Sequence, residues 1–321
     1  MIDPPLKKPR LFITGGSGLL ALNWAFYMRD TWDIVLGLHQ HGVSLKGVET
    51  CQPSWLNPIA LANQIAQLSP DLIVHAAGLT NVDRCETDPK LAYQGNVEIS
   101  KNIATAAAKI GVPLIHISTD HLFSGLSSFC TEEDAVQPLN EYARSKLIAE
   151  LAVKEVGAEA LILRTNFFGW GHTYRQSFSD WIVLNLRAGK PLKLFDDVFI
   201  TPILLDSLIQ TAHELIDKKI SGTINLVGDE RLSKYDFAIR IAKQFDLPVQ
   251  LIKRNTMDSA HLLAKRPLDM SLSNTKVQAI LGRSMGGVDE FLPMLYTQEK
   301  LGRHKEFLRA VKSDHHQLSS L

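Results

Sequence analysis

The sequence has little cysteine, no excess of either charge and no long apolar run. Its three cysteines, Cys51, Cys85 and Cys130, are widely spaced and form no C-x-x-C. That argues against a disulfide framework and a zinc ribbon, and a reducing cytoplasm is the simplest compartment. Lys plus Arg and Asp plus Glu each number 34, so the formal net charge is zero. A nucleic-acid binder carries a basic excess, so no nucleic-acid partner is expected. No stretch approaches the ~18 apolar residues of a membrane helix, and the N-terminal apolar run is too short for a signal-peptide core. A soluble, intracellular protein with no membrane partner is the expectation. Internal repeats and low-complexity blocks are also missing.

What is present is ordinary globular composition, 45% hydrophobic and 21% charged over 321 residues. At roughly 100–200 residues per domain, this length suggests two domains. The first half alternates short apolar runs with helical patterns. Strands are predicted at Leu11–Thr14, Asp33–Leu38, Asp71–His75, Val112–Ser118 and Ala160–Arg164. Helices are predicted at Leu19–Arg29, Pro58–Leu68, Lys90–Ile110 and Glu141–Val156. Apolar strands separated by helices fit a parallel sheet buried on both faces, so the fold class is a doubly wound, Rossmann-type α/β sheet. The rhythm changes after Phe168. We therefore expect a dinucleotide-binding domain over residues 1–168, with residues 201–222 returning to it. Residues 169–321 would form a smaller mixed α/β substrate lobe and tail. The tail from His304 shows little apolar periodicity and reads as a frayed helix or disorder.

Three motifs carry chemistry. Thr14-Gly15-Gly16-Ser17-Gly18-Leu19-Leu20-Ala21 lies between a strand and a helix. Gly15 permits a tight turn, Gly18 lets a pyrophosphate approach the helix N-terminus, and Ala21 allows close helix–strand packing. The second strand ends Gly37-Leu38-His39-Gln40-His41 without the carboxylate that usually holds the NAD ribose. That favours NADP(H), with Lys46 or the histidines near the 2′-phosphate, and leaves NAD(H) open. Tyr142-Ala143-Arg144-Ser145-Lys146 places Tyr142 and Lys146 on one helix face, where an ammonium favours a phenolate. Ile117-Ser118-Thr119-Asp120-His121 ends the fourth strand, at the sheet edge where ligands bind. A hydroxyl there can bond the oxygen that Tyr142 protonates. No metal set is evident. His75 and His116 lie in apolar strands and read as interior residues, and Glu132-Glu133-Asp134 reads as a solvated loop.

Together these residues resemble the extended short-chain dehydrogenase/reductase superfamily, and within it the dTDP-4-dehydrorhamnose reductase family. Further segments carry the resemblance: His75 through Asp83 with Cys85-Glu86, Asn96-Val97, Ser118 through Gly125, Pro138-Leu139-Asn140, Leu163-Arg164-Thr165, and Arg266-Pro267 ahead of Leu272 and Lys276. The resemblance implies that Thr119, Tyr142 and Lys146 are catalytic. Gly15, Gly18, Leu19, Leu20, Ala76, Ala77 and Gly78 would bind the cofactor, together with Tyr142 and Lys146. Thr80, Val82, His121, Phe167 and Arg266 would contact a nucleotide-diphosphate sugar. Further charge from the second lobe is expected of Lys190, Arg231, Lys253 and Arg254. The family often has Tyr where His121 stands, Trp where Phe167 stands and Asp where Ser54 stands. The implied activity is NAD(P)H-dependent reduction of a keto group on a nucleotide-linked deoxysugar, in a possible homodimer. Two alternatives stay open: a sugar-nucleotide epimerase, and a non-catalytic NADP-binding subunit similar to the beta subunit of methionine adenosyltransferase.

Overall fold

A computed structural model describes residues 7–260 and 262–311. The strands are β1 Arg10–Thr14, β2 Asp33–Gly37, β3 Val48–Cys51, β4 Leu72–His75, β5 Leu114–Ile117, β6 Ala160–Arg164, β7 Phe167–Phe168, β8 Leu192–Phe195, β9 Phe199–Ile200, β10 Ile203–Leu204, β11 Gly222–Asn225, β12 Leu232–Ser233 and β13 Ile252–Asn255. The α-helices are α1 Leu19–Met28, α2 Pro58–Leu68, α3 Val82–Thr87, α4 Pro89–Ala92, α5 Ile99–Ile110, α6 Glu141–Glu155, α7 Phe178–Arg187, α8 Leu205–Asp217, α9 Lys234–Gln244, α10 Thr275–Leu281, α11 Val288–Lys300 and α12 Arg303–Ala310. Seven strands form one sheet in the order β11-β6-β5-β4-β1-β2-β3, and all its neighbours pair in parallel.

The period-two alternation of a strand divides the sheet's side chains between two cores. Leu11 and Ile13 of β1 join Leu36, Val74, Ile115, Leu161 and Leu163 on one face, with α1, α8 and the second lobe. Phe12 joins Val35, Ile73, Leu114 and Ile162 on the other, against α2 and α5. Each such fully buried side chain contributes about 1.5–3 kcal/mol relative to exposure. Both faces are covered, which is why the strand sequences are almost continuously apolar. The three cysteines are unpaired. No helix among the described residues is long and apolar enough to cross a membrane.

Helix α8 packs against α1, where Trp24 Nε1–H donates to His213 Nε2 at 3.0 Å. The chain then enters β11, which pairs with β6 in register Gly222 to Leu161. Glu132 is more than a solvated loop residue, because its Oε1 accepts the Asn225 N–H at 2.7 Å and pins β11.

Two expectations are corrected. The single helix expected over Lys90–Ile110 is divided: a π-turn over Tyr93–Glu98 separates α4 from α5. The tail contains α12, whose Phe307 and Ala310 are buried although the surrounding residues are charged. Ser44 N–H donates to Ala310 O at 2.7 Å, so this last helix is fastened to the loop after β2. Residues 312–321 of the expected tail lie outside the described residues.

Candidate active site

The turn after β1 is forced by its glycines. Gly15 has φ +70°, and a Cβ there would lie 2.9 Å from both N and Cα of Ala77. Gly16 N–H donates to Gly37 O at 2.9 Å and Gly18 N–H to Gly15 O at 2.7 Å, closing the loop. Gly18 is the N-cap of α1 but has no side chain with which to satisfy the helix's first N–H groups, and the first turn holds no acidic residue. The N–H groups of Leu19 and Leu20 and the positive helix end therefore face the loop unclaimed by any carboxylate. That cradle fits a pyrophosphate. His172 Nε2–H donates to Ser17 O at 2.9 Å, tying the second segment to the loop.

The end of β4 forms the opposite wall. Ala77 N–H donates to Thr14 Oγ1 at 3.1 Å, and Thr14 Oγ1 bonds His75 Nδ1 at 2.7 Å. Burial holds the His75 pKa down to about 3, so the ring is neutral. A Cβ on Gly78 would meet Asn96 Oδ1 at 2.8 Å, and that same oxygen accepts the Leu79 N–H at 2.7 Å. The π-turn thus has a use: it turns Asn96 into the wall.

At the end of β2, His39, His41 and Lys46 are exposed, and His41 stacks on Tyr174 with ring centroids 4.9 Å apart. No carboxylate occupies the end of this strand, whose last residue is Gly37.

The catalytic candidates meet at the carboxyl edge of β5. Asn140 caps α6 by accepting the Ala143 N–H at 2.9 Å, and this sets the rotation of the helix. Tyr142 and Lys146 then face inward one turn apart, both buried. Burial pushes the Tyr142 phenol up to about 12; the nearby Thr119 hydroxyl opposes this, while Asp120 and Cys85 add to it. The phenol is therefore protonated at neutral pH. The net shift is upward, so the burial of the phenol outweighs the pull expected of the neighbouring ammonium. Lys146 Nζ donates to Ile117 O at 2.7 Å, and burial draws its pKa down to about 8, with Glu150 opposing. Thr119 is buried, and its Oγ1 accepts the His121 N–H at 3.2 Å.

The substrate-contact candidates do not all converge. His121 lies edge-on to Tyr142 at 5.6 Å between ring centroids. Val82 packs against the Cys85, Ala92 and Tyr142 cluster. Arg266 Nη2–H donates to Asp83 Oδ1 at 3.1 Å. Thr80 is exposed on the loop before α3, and Phe167 pairs in β7 with Ile203 of β10. The expected charges Lys190, Lys253 and Arg254 are exposed surface, and Arg231 is spent on Asp269 at 2.7 Å. The sequence reading missed two residues, Asn166 and Lys234. Asn166 Nδ2–H donates to Asp120 Oδ2 at 2.5 Å. Lys234 begins α9, and its charge and that of Asp120 act on each other. Neither carries a local signal, because each reaches the cleft from a distant part of the chain.

Comparison with known proteins gives this geometry a context. dTDP-4-dehydrorhamnose reductase of Escherichia coli is 31% identical over 256 residues, covering 75% of this chain and 85% of that protein. Methionine adenosyltransferase 2 subunit beta of Rattus norvegicus is 30% identical over 295 residues, covering 84% of this chain and 82% of that protein. The crystal structure of dTDP-4-dehydrorhamnose reductase from Bacillus anthracis, in complex with NADP, superposes with a TM-score of 0.80 at 22% identity. It covers 91% of this chain and 99% of that one, and shares the Rossmann-like fold. The RmlD substrate binding domain family matches residues 9–298. The chain belongs to the RmlD substrate binding domain family.

Proposed function

We propose that this protein reduces the keto group of a nucleotide-linked deoxysugar, using NADPH in preference to NADH. The observation that carries the reading is a buried, protonated phenol beside the Thr119 hydroxyl, at the sheet edge that also bears the glycine cradle. A bound nicotinamide cofactor supplies the hydride. Gly15, Gly18 and the N–H groups of Leu19 and Leu20 hold its pyrophosphate, and Ala76, Ala77 and Gly78 line its path. The absence of a carboxylate at the end of β2 favours the 2′-phosphate form. Tyr142 donates its proton to the carbonyl oxygen as that oxygen gains charge. Thr119 donates a hydrogen bond to the same oxygen. Lys146 keeps a cation one helical turn away and stabilises the phenolate left behind. His121, Val82, Thr80, Phe167 and Arg266 contact the sugar nucleotide. The dinucleotide unit is the seven-strand sheet with its helices, including the return through α8 and β11, and the segments between and after these supply most of the substrate lobe. A cytoplasmic homodimer is its form; three unpaired cysteines suit a reducing compartment.

The test is NADPH oxidation with a dTDP-4-keto-6-deoxy sugar, comparing wild type with Tyr142→Phe. General acid help of this kind is worth roughly 10²–10⁴-fold, so the variant should lose turnover by that factor and keep NADPH binding. A variant as active as wild type would remove Tyr142 from the mechanism. A second reading is favoured by the methionine adenosyltransferase relative, which matches at nearly the same identity. In it, the chain binds the dinucleotide and presents a surface to a partner. Tight NADPH binding by a wild type that turns over no keto-sugar nucleotide would select that reading.

A further inference from the structure

Helix α12 lies beyond residues 9–298, the span that the family model matches. An eight-residue helix is too short to persist alone, so its contacts must hold it. Phe307 is fully buried and meets Phe26 of α1 edge-on, with ring centroids 5.5 Å apart. Arg303 lies over the same Phe26 ring at 4.7 Å and pairs with Asp206 of α8, whose other oxygen accepts Gln298 Nε2–H at 2.9 Å. His304 stacks on Trp170 at 4.9 Å between centroids. Glu306 accepts both arms of Arg29, at 2.5 and 3.4 Å.

What α12 reaches is the loop after β2. Val43 forms an antiparallel bridge with Val311, and Ser44 N–H donates to Ala310 O at 2.7 Å. Arg29 Nη1, besides its bond to Glu306, donates to Lys46 O at 3.4 Å. Leu45 is buried, but the loop also carries Gly42, with open space where a Cβ would stand, and Gly47 at φ +77°. Two glycines give an unbraced loop many conformations to lose. Residues 39–42 at its tip are exposed, with His41 stacked on Tyr174. In a doubly wound sheet, the end of this strand faces the adenosine ribose of a dinucleotide.

We propose that α12 is a latch for the dinucleotide site. By gripping Val43, Ser44 and, through Arg29, Lys46, it holds the loop after β2 ready for the adenosine end of the cofactor. The loop is then ordered on folding and not on binding, which raises affinity without a new contact to the ligand. Glu306 and Phe307 are positioning residues: they act through the loop. Ordering even one or two loop residues at the moment of binding corresponds to roughly a ten-fold weaker Kd, so freeing α12 loosens the cofactor. This inference rests on the reading of the glycine cradle as a dinucleotide site.

Hydrogen exchange and ligand titration on the full chain test this in wild type, Phe307→Asp and Glu306→Gln. Leu308→Asp, at an exposed position of the same helix, is the control. Adenosine 2′,5′-bisphosphate is titrated beside NADPH as the isolated adenosine end. In Phe307→Asp the Ser44 amide should exchange about ten-fold faster or more, the β1 and β4 amides should hold, and both ligands should bind about ten-fold more weakly. Glu306→Gln should move the same readouts by a few-fold, and Leu308→Asp should move none. A merely structural helix would lower Tm and leave the affinity of the adenosine fragment alone. Faster Ser44 exchange with both Kd values within about two-fold of wild type overturns the proposal, and so does a Ser44 amide that keeps its wild-type rate in Phe307→Asp. If the β1 and β4 amides also speed up in Phe307→Asp, the fold itself has loosened, and Glu306→Gln decides by the same criteria. A wild type that binds neither ligand refutes the dinucleotide reading and overturns the latch with it. A wild type that binds both, with affinities indifferent to α12, overturns the latch alone.

Discussion

Glu150 and Arg164 make the interior's most exacting ion pair, and its loss should be large. Glu150 is 1% exposed and Arg164 4% exposed. Arg164 donates Nε–H to Oε1 at 3.0 Å and Nη2–H to Oε2 at 2.9 Å. Ser118 Oγ–H donates to Oε1 at 2.5 Å, so one carboxylate joins α6, β6 and the end of β5. Glu150→Gln keeps the shape and leaves a buried guanidinium without its counter-charge. Breaking one side of a buried pair costs about 3–5 kcal/mol. Glu150→Leu combined with Arg164→Met removes both charges and should recover most of that loss. The residue of the deficit is Ser118, whose buried hydroxyl would lack its acceptor at a cost of about 1–3 kcal/mol. Urea unfolding followed by tryptophan fluorescence measures all three proteins, with the slope checked for constancy. A loss under about 1 kcal/mol in Glu150→Gln, or a double variant worse than the single, would refute the reasoning. Glu150 also holds up the Lys146 pKa, so Glu150→Gln should move the basic limb of the pH–rate profile to lower pH.

Three further outcomes are expected. Lys146 has a folded pKa of about 8 against 10.5 for the free side chain, so the unfolded chain binds more protons between those values. Stability should rise across that window while turnover falls, and Lys146→Met should flatten the stability slope; a wild-type stability that is level from pH 8 to 10.5 would contradict this. His75 is neutral when folded, with a pKa of about 3 against 6.5, so stability should fall as the pH drops from 6.5 toward 3. Acid titration of wild type against His75→Asn, read by circular dichroism, checks it: equal acid slopes would remove His75 as the cause. Gly15→Ala places a Cβ 2.9 Å from the Ala77 backbone at φ +70°, adding about 1–2 kcal/mol of left-handed strain. NADPH affinity, measured by fluorescence titration, should drop well beyond the change in Tm, and an unchanged Kd would show that the cradle tolerates a methyl group.

The parts of this protein legible in its sequence are those whose signal is local. β1, β2, β4, β5 and β6 announce themselves as apolar runs because helices cover both faces of the sheet. β3 does not, because Val-Glu-Thr-Cys at the sheet edge is half exposed. The two-residue strands β7, β9, β10 and β12 are too short for any period to register. The π-turn over Tyr93–Glu98 hides inside an Ala-rich helical pattern, since the one-residue shift serves Asn96 and not the core. In α12 the apolar stripe is narrow and the charges around it dominated the reading. That Thr119, Tyr142 and Lys146 lie together at the end of β5 was foreshadowed by their spacing and order. Asn166 and Lys234 were not, because partnerships across 46 residues and more are made by topology alone. The protonated state of Tyr142 is likewise a property of burial, which a Tyr–Lys spacing does not encode.

The pairing of β11 with β6 has a consequence for how the chain comes into being. A ribosome that has delivered residues 1–168 has made six strands of the sheet, and β6 is then a bare, apolar, parallel edge. Its partner emerges only at Gly222–Asn225, after α7 and several small strands have been synthesised. During that interval the nascent protein carries the kind of open edge that recruits a neighbouring chain. The N-terminal half is thus no free-standing module to be cut and grafted. Shortening it at residue 168 would leave an adhesive fragment, and the delay before β11 arrives is the moment at which a chaperone has most to protect.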